Sequence, residues 1–333
     1  MAKIEPSELT LNFSLGNQPN EFIDLSQCAS LVNRRFYRQG INWAVKGFTL
    51  HNLTGSQGSC QISKLPSTWV MSNAWEKGFR TWQKMNDEAL EETESVKPRF
   101  LDYKVYADRK HHDVGFAANL LPFVYNSLTG AVEVFAAGEW ESSKMIIPDT
   151  SLGATGGVQE REIIAVGPNY PGSSTATGLN AVSLIDGYAA SRGLPNVVDP
   201  NAPDDAGDTD GVSPENWLQA TFNEGTQQSA DVLDTMVGPL AENNIAPYPF
   251  EGDGVNTDTM YPGGANQGSA MVLHDQLNVT GTTVSNAVRA RGGQFPAGLI
   301  RVRKDLTLDG AVLQVHLVPG SHRGYLCEPM TDM

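Results

Sequence analysis

The chain has 333 residues, 40% of them apolar and 18% charged, with 33 Gly and 19 Pro. That length can bury a sizeable core, the composition favours a loop-rich β protein over a helical bundle, and no apolar run approaches the roughly 18 residues of a membrane span. The net charge of −15 is uneven, with +2 over residues 1–110, −19 over 111–288 and +2 over 289–333, so only the two ends can face a polyanion, because phosphate is neutralised by Lys and Arg.

Three cysteines, Cys28, Cys60 and Cys327, lie far apart. Their odd number and spacing argue against a disulfide framework or a CxxC metal site. They read as reduced, mostly buried thiols, which suits assembly inside a cell. The first residues, MAKIEPSELTLNF, hold no apolar signal core or cleavage pattern, so no leader is expected.

Residues 9–64 read as strands and turns. In Trp43–Leu53 the alternation slips near Gly47, which predicts a bulge. Ser59–Leu65 alternates around Cys60 and Ile62. Over 69–93 the period changes: Trp75, Phe79 and Trp82 recur at i, i+4 and i+7, the stripe of an amphipathic helix. Asn73 with Glu76 serves as a capping pair. Glu88, Glu91, Glu92 and Glu94 oppose the helix dipole at its end, and Pro98 stops it. Phe100–Asp108 alternates again and is expected as a strand. The histidines, His111 and His112 among them, are expected at the surface or at strand ends, where adjacent residues point to opposite faces and chelate no ion together.

Further strands are expected near 120–126, 131–140, 143–147, 161–167 and 180–189, with Thr129-Gly130 as a hairpin turn. Asp199–Glu215 is a Pro/Asp/Gly loop. Ser213 and Pro214 then start a short helix through Trp217, Leu218 and Phe222, residues 229–241 form a second, and 247–268 is loop. Closing strands follow near 270–278, 298–306 and 311–318. In the last, Leu313, Val315 and Leu317 share one face, and Val312, Gln314, His316 and Val318 the other. Both faces are largely apolar, as in a strand covered on both sides, until Pro319-Gly320 breaks it. Many short strands, one early amphipathic helix and long loops make an all-β protein, a β-sandwich or jelly roll.

No catalytic motif stands out. GxSxG, Walker A and GxGxxG patterns are absent, and the carboxylates are too many to single out a pair. The acidic loop fails the EF-hand pattern, since Ala206 and Trp217 fall where ligands are required. A looser oxygen site from Asp204, Asp205, Asp208 and Asp210 would bind Ca2+ only loosely, and a solvated acidic loop is the preferred reading. No other cofactor is implied, and the chain is not expected to be an enzyme. Two basic clusters remain: Arg34, Arg35 and Arg38 beside Phe36 and Tyr37, and Arg289 with Arg291, followed by Arg301, Arg303 and Lys304. Cations interleaved with aromatics suit single-stranded nucleic acid, by neutralising phosphates and stacking bases. Surface or subunit-interface charge explains them equally well.

The segment Leu313–Met333, LQVHLVPGSHRGYLCEPMTDM, resembles the C-terminal end of capsid proteins of small circular single-stranded DNA viruses. The length, the all-β pattern and the aromatic-rich early helix are similar too. The resemblance implies a single jelly-roll capsid domain over 1–333, with 190–268 as an outward-facing, loop-rich insertion. It also implies an icosahedral shell of identical copies around viral single-stranded DNA, located in the virion and assembled in the host cell, with a host receptor as a further partner. Such proteins often begin with an Arg/Lys-rich arm, whereas this chain has one Lys and two Glu in its first ten residues. Either genome contact comes from folded positions such as the Arg34 cluster, or packaging depends on other factors. A double jelly roll from a phage with an internal membrane would lack that arm as well. The rival from another class is a carbohydrate-binding or carbohydrate-cleaving β-sandwich, with Trp140 and Tyr261 stacking on sugars.

Overall fold

Alternating apolar residues build most of the molecule, because a strand that buries one face must place every second side chain in the core. A computed structural model describes residues 7–16, 18–52, 54–90, 102–125, 127–149, 157–168, 172–191, 270–283, 286–305, 307–308 and 310–333. In chain order the elements are β1 (Thr10–Ser14), β2 (Asn20–Asp24), α1 (Leu25–Asn33), β3 (Ile41–Asn52), β4 (Gly58–Lys64), α2 (Trp69–Ala89), α3 (Arg109–Val114), β5 (Phe123–Tyr125), β6 (Val132–Val134), β7 (Lys144–Asp149), β8 (Gly157–Ile164), β9 (Ala181–Ser183), α4 (Leu184–Ser191), β10 (Val272–Val279), β11 (Ala287–Phe295), β12 (Leu299–Lys304), β13 (Ala311–Leu317), β14 (Pro319–Gly320), β15 (Gly324–Tyr325) and β16 (Cys327–Pro329). The protein is thus mostly β-sheet with few helices, as a β-sandwich requires. It divides into two compact units, Met1–Ser67 with Val114–Glu141 and Met271–Met333, and Thr68–Asp113 with Ser142–Ala270.

The first unit holds two large antiparallel sheets and the small β14-β15 pair. One runs β11-β3-β13-β1-β5-β6 and the other β10-β4-β12-β2. Phe13, Phe48, Leu50, Leu313 and Val315 of the first sheet share one buried cluster with Ile23, Ile62, Leu277, Ile300 and Val302 of the second. The pairing is nested: β1 pairs β13, β2 pairs β12, β3 pairs β11 and β4 pairs β10. Four strands from the N-terminal part of the chain thus run back along four from the C-terminal part, outermost with outermost. Beyond the strand ends Leu15 N donates to Ala311 O and Asp305 N to Ser59 O. α1 follows β2 directly, and a short turn at Pro296–Gly298 joins β11 to β12.

Several expectations are met directly. The register of β13 on β3 slips at Lys46, beside Gly47, which is the expected bulge. Gly292 lies across from it, and a Cβ there would stand 2.1 Å from the Val45 carbonyl oxygen, so no larger residue fits. Turn residues that include Thr129 join β5 to β6 as a hairpin. β13 differs from its sequence reading. Leu313, Val315 and Leu317 are buried, but Val312, Gln314 and His316 are only half-buried, because Gln314 and His316 satisfy their polar groups on an outer sheet face. Pro319-Gly320 does not simply end the chain's order: β14 pairs β15, and β16 pairs β3. Met330 is fully buried, and its backbone nitrogen donates to Gly40 O.

Elements absent from the sequence reading include α1 and β11. α1 begins where the Asp24 carboxylate accepts from Ser26 N at 2.9 Å and Gln27 N at 3.2 Å, an N-cap that supplies acceptors for otherwise orphaned amides. β11, with its paired glycines and two outward arginines, lacks the apolar run that marks a strand.

In the second unit β7 pairs β8 antiparallel and β8 pairs β9 parallel. α2 forms as expected over most of 69–93, but Thr68, not Asn73, begins it, since Met71 N donates to Thr68 Oγ1 at 3.3 Å. Trp75, Phe79 and Trp82 stack along one face, and all three rings meet Tyr103. Residues 102–108 form only an isolated bridge, Tyr106 to Ile164, rather than the expected strand. Only Ala181–Ser183 of 180–189 is strand, after which α4 begins. The expected helices near Trp217 and over 229–241 lie outside the described residues.

Candidate nucleic-acid interface

The outer face of the larger sheet is assembled by register. Thr49 of β3 stands between Arg289 of β11 and Gln314 of β13, and Gln314 stands opposite Asn12 of β1. In the next outward row Gly47 lies between Arg291 and His316, and His316 is opposite Thr10. Paired residues of an antiparallel ladder share a face, so Arg289 and Arg291, both exposed, project on the same side as His51 and His316. The bulge turns Lys46 outward as well.

Hydrogen bonds fix this face. The His316 ring nitrogens meet Thr10 Oγ1 at 3.3 Å and Thr49 Oγ1 at 3.0 Å. His51 Nε2 meets Gln314 Oε1 at 3.0 Å, and Gln314 Nε2 donates to Asn12 Oδ1 at 2.9 Å. Burial lowers the His316 pKa, and the charges of Lys46, Arg289 and His51 lower it further. At the β10 corner Arg291 N donates to Asp275 Oδ2 at 3.1 Å, and Arg291 Nη2 to His274 O at 3.2 Å. These contacts tie the edges of the two sheets together.

The other arginines sit elsewhere on the first unit. Arg34 is the left-handed C-cap of α1 with φ 56°, and Arg34 and Arg38 are exposed while Arg35 is half-buried. This cluster follows α1, whereas Arg289 and Arg291 lie on β11. Arg323, which sequence reasoning missed, reaches the loop after α1 through an Nη1 hydrogen bond to Phe36 O. Base stacking on Tyr37 is ruled out: its ring is fully buried against Trp43 and Tyr325, at centroid distances of 5.8 and 5.6 Å. Its hydroxyl donates to Arg323 O at 2.9 Å. Asp204, Asp205, Asp208 and Asp210, the calcium candidates, lie outside the described residues. Among those that are described, no group of three or more His, Cys, Asp or Glu could hold a metal ion, and no helix is long and apolar enough to cross a membrane.

The second unit contains a polar cluster that the sequence did not signal. His111 and His112 lie on α3, not on a strand, and both are fully buried. His112 Nε2 meets Glu162 Oε2 at 2.7 Å, and that oxygen also accepts from Thr177 Oγ1 at 2.6 Å. Glu162 Oε1 accepts from Ser142 Oγ at 2.7 Å and Tyr106 Oη at 3.3 Å. Burial pushes the Glu162 carboxyl up, but the hydrogen bonds from His112, Thr177 and Ser142 outweigh it and hold the group below the ordinary range. Both carboxylate oxygens of Glu162 are committed, so the cluster joins four separate segments, while the buried His112 Nδ1 has no hydrogen-bond partner.

No family model matches the chain, and no curated protein or solved structure matches it either.

Proposed function

We propose that the chain is a viral coat protein whose first unit is a jelly roll and whose copies assemble into a closed icosahedral shell around single-stranded DNA. The observation that carries this reading is the nested pairing of the eight strands. Numbered in chain order, they lie 1-8-3-6 in one sheet and 2-7-4-5 in the other, the connectivity of a long hairpin of four strand pairs rolled up once. Viral coats are a major user of that architecture, and the likeness of the C-terminal segment supports the same reading. One fold serves many functions, so a surface for assembly is needed as well. The β5–β6 hairpin offers one: Val124, Tyr125, Leu128, Val132 and Val134 are all exposed on the outermost strands of their sheet. An open edge with such side chains is a template for association.

The sugar-binding alternative loses a residue it relied on. Trp140 is half-buried, and its Nε1–H donates to Asp24 Oδ2 at 3.0 Å. Tyr261 lies outside the described residues. Negative-stain microscopy of the purified protein, with its mass in solution, tests the proposal. Uniform closed shells support it, and a monodisperse monomer under every assembly condition overturns it.

A further inference from the structure

We propose that the outer face of the β11-β3-β13-β1 sheet binds the phosphodiesters of single-stranded DNA in a proton-linked manner, with His316 taking up charge as the strand binds. The choice of DNA over other polyanions rests on the coat-protein reading; the proton linkage does not. The chain carries 38 carboxylates against 23 Lys and Arg, yet the outward positions of these four strands hold Thr10, Asn12, Lys46, Thr49, His51, Arg289, Arg291, Gln314 and His316 and no carboxylate. Among the described residues, carboxylates stand only at the rims. Glu8 accepts from Thr10 N at 3.4 Å, Asp275 from Arg291 N at 3.1 Å, and Glu328 on β16 from Asn42 Nδ2 at 2.8 Å. Charge complementarity thus selects an anionic polymer laid across the strands, with three permanent cations and two histidines.

The hydrogen bonding suits proton uptake. A hydroxyl both donates and accepts, so Thr10 and Thr49 can each accept from an imidazolium at His316 without moving. At His51 the Gln314–Asn12 carboxamide chain takes up Nε2 as a donor. Lys46, Arg289 and His51 oppose charge on His316, and bound phosphates would neutralise that opposition. Anion binding and protonation therefore favour each other, and affinity rises as pH falls.

The test is fluorescence anisotropy of a labelled oligothymidylate with the full chain, at constant ionic strength between pH 5.5 and 8.0. Wild-type affinity should rise about tenfold across that window, where unperturbed histidines titrate. The His51→Gln/His316→Gln variant should bind with no pH slope. Should that double variant fail to fold, His316→Gln alone should lose the slope. The Arg289→Ala/Arg291→Ala variant should bind weakly at every pH, with its salt dependence reduced by about one per lost phosphate contact. Melting curves run alongside establish that each variant is folded. An unchanged pH slope in the histidine variant overturns the inference, as does binding of sulfated heparin fragments with none of the oligonucleotide. Microscopy separates the two readings. Shells whose DNA binding ignores this face sink the inference and leave the coat reading, whereas proton-linked DNA binding without shells does the reverse.

Discussion

Asp24 gives the sharpest test of the energetics. It is fully buried, caps α1, and also accepts from Gln39 Nε2 and Trp140 Nε1, both at 3.0 Å. Burial nonetheless raises its pKa from 3.8 to about 6, because the desolvation of the charge outweighs the four hydrogen bonds. The folded state therefore holds this proton more tightly than the unfolded state does. Its contribution to stability is fully present below pH 3.8 and is lost as pH rises to about 6. Each pH unit between those two values is worth about 1.36 kcal/mol, so the loss is about 3 kcal/mol. Asp24→Asn cannot titrate, and its amide faces the two side-chain donors, which costs about 1–3 kcal/mol for the misplaced group. Urea denaturation followed by tryptophan emission, for wild type and variant between pH 4 and 8, isolates the effect. The stability difference should move by about 3 kcal/mol toward the variant as pH rises. A difference that stays flat, or that moves the other way, would show that the four donors overcome desolvation and would refute the raised pKa.

Lowering the pH through the depressed pKa of Glu162 should unfold the second unit. That group stabilises the fold above its unfolded value of 4.5 and ceases to once the folded form is protonated. Glu162→Gln should cost about 3 kcal/mol, as expected for breaking a buried pair, and should remove that acid step from thermal melts. Gly292→Ala should cost about 2 kcal/mol through overpacking against the β3 backbone; a wild-type melting temperature would contradict the close approach at the bulge. Leu128→Asp with Val132→Asp should change monomer stability by under about 0.5 kcal/mol, since Leu128 is 95% exposed, while abolishing large species in sedimentation. Cys28 and Cys60 are buried, and burial raises the Cys327 thiol to about 12. Ellman's reagent at pH 8 should therefore titrate the three thiols slowly in the native protein and promptly in guanidinium.

Where local pattern and tertiary burial agree, the sequence is a sufficient guide. The Trp75, Phe79 and Trp82 stripe becomes a stacked helix face, and the slip at Gly47 becomes a bulge, because each is decided within a few residues. Residues 102–108 have a strand's alternation but lack a continuous neighbour, and pairing is a property of two segments. β11 was concealed for the opposite reason, since its arginines and glycines make sense only against β3. The Asp24 cap was legible in principle, as an Asx residue before an apolar stretch, but it closes a strand and so reads as part of one. Glu162 and His112 are 50 positions apart, and nothing local marks either. His51 and His316 join Arg289 only through the register of three strands.

The nested strand order also bears on synthesis. Gln61 and Gln276 of the innermost pair are 215 positions apart, and Asn12 meets Gln314 across 302. None of the eight strands can find its partner in this ladder while the first half of the chain is emerging from the ribosome. Closing such long loops is slow and leaves apolar strands waiting. The first four strands must therefore be held apart, by chaperones or by their own local turns, until residues beyond 300 are made. A chain truncated before β13 would leave β1 without its ladder partner and should collect in inclusion bodies rather than fold partway.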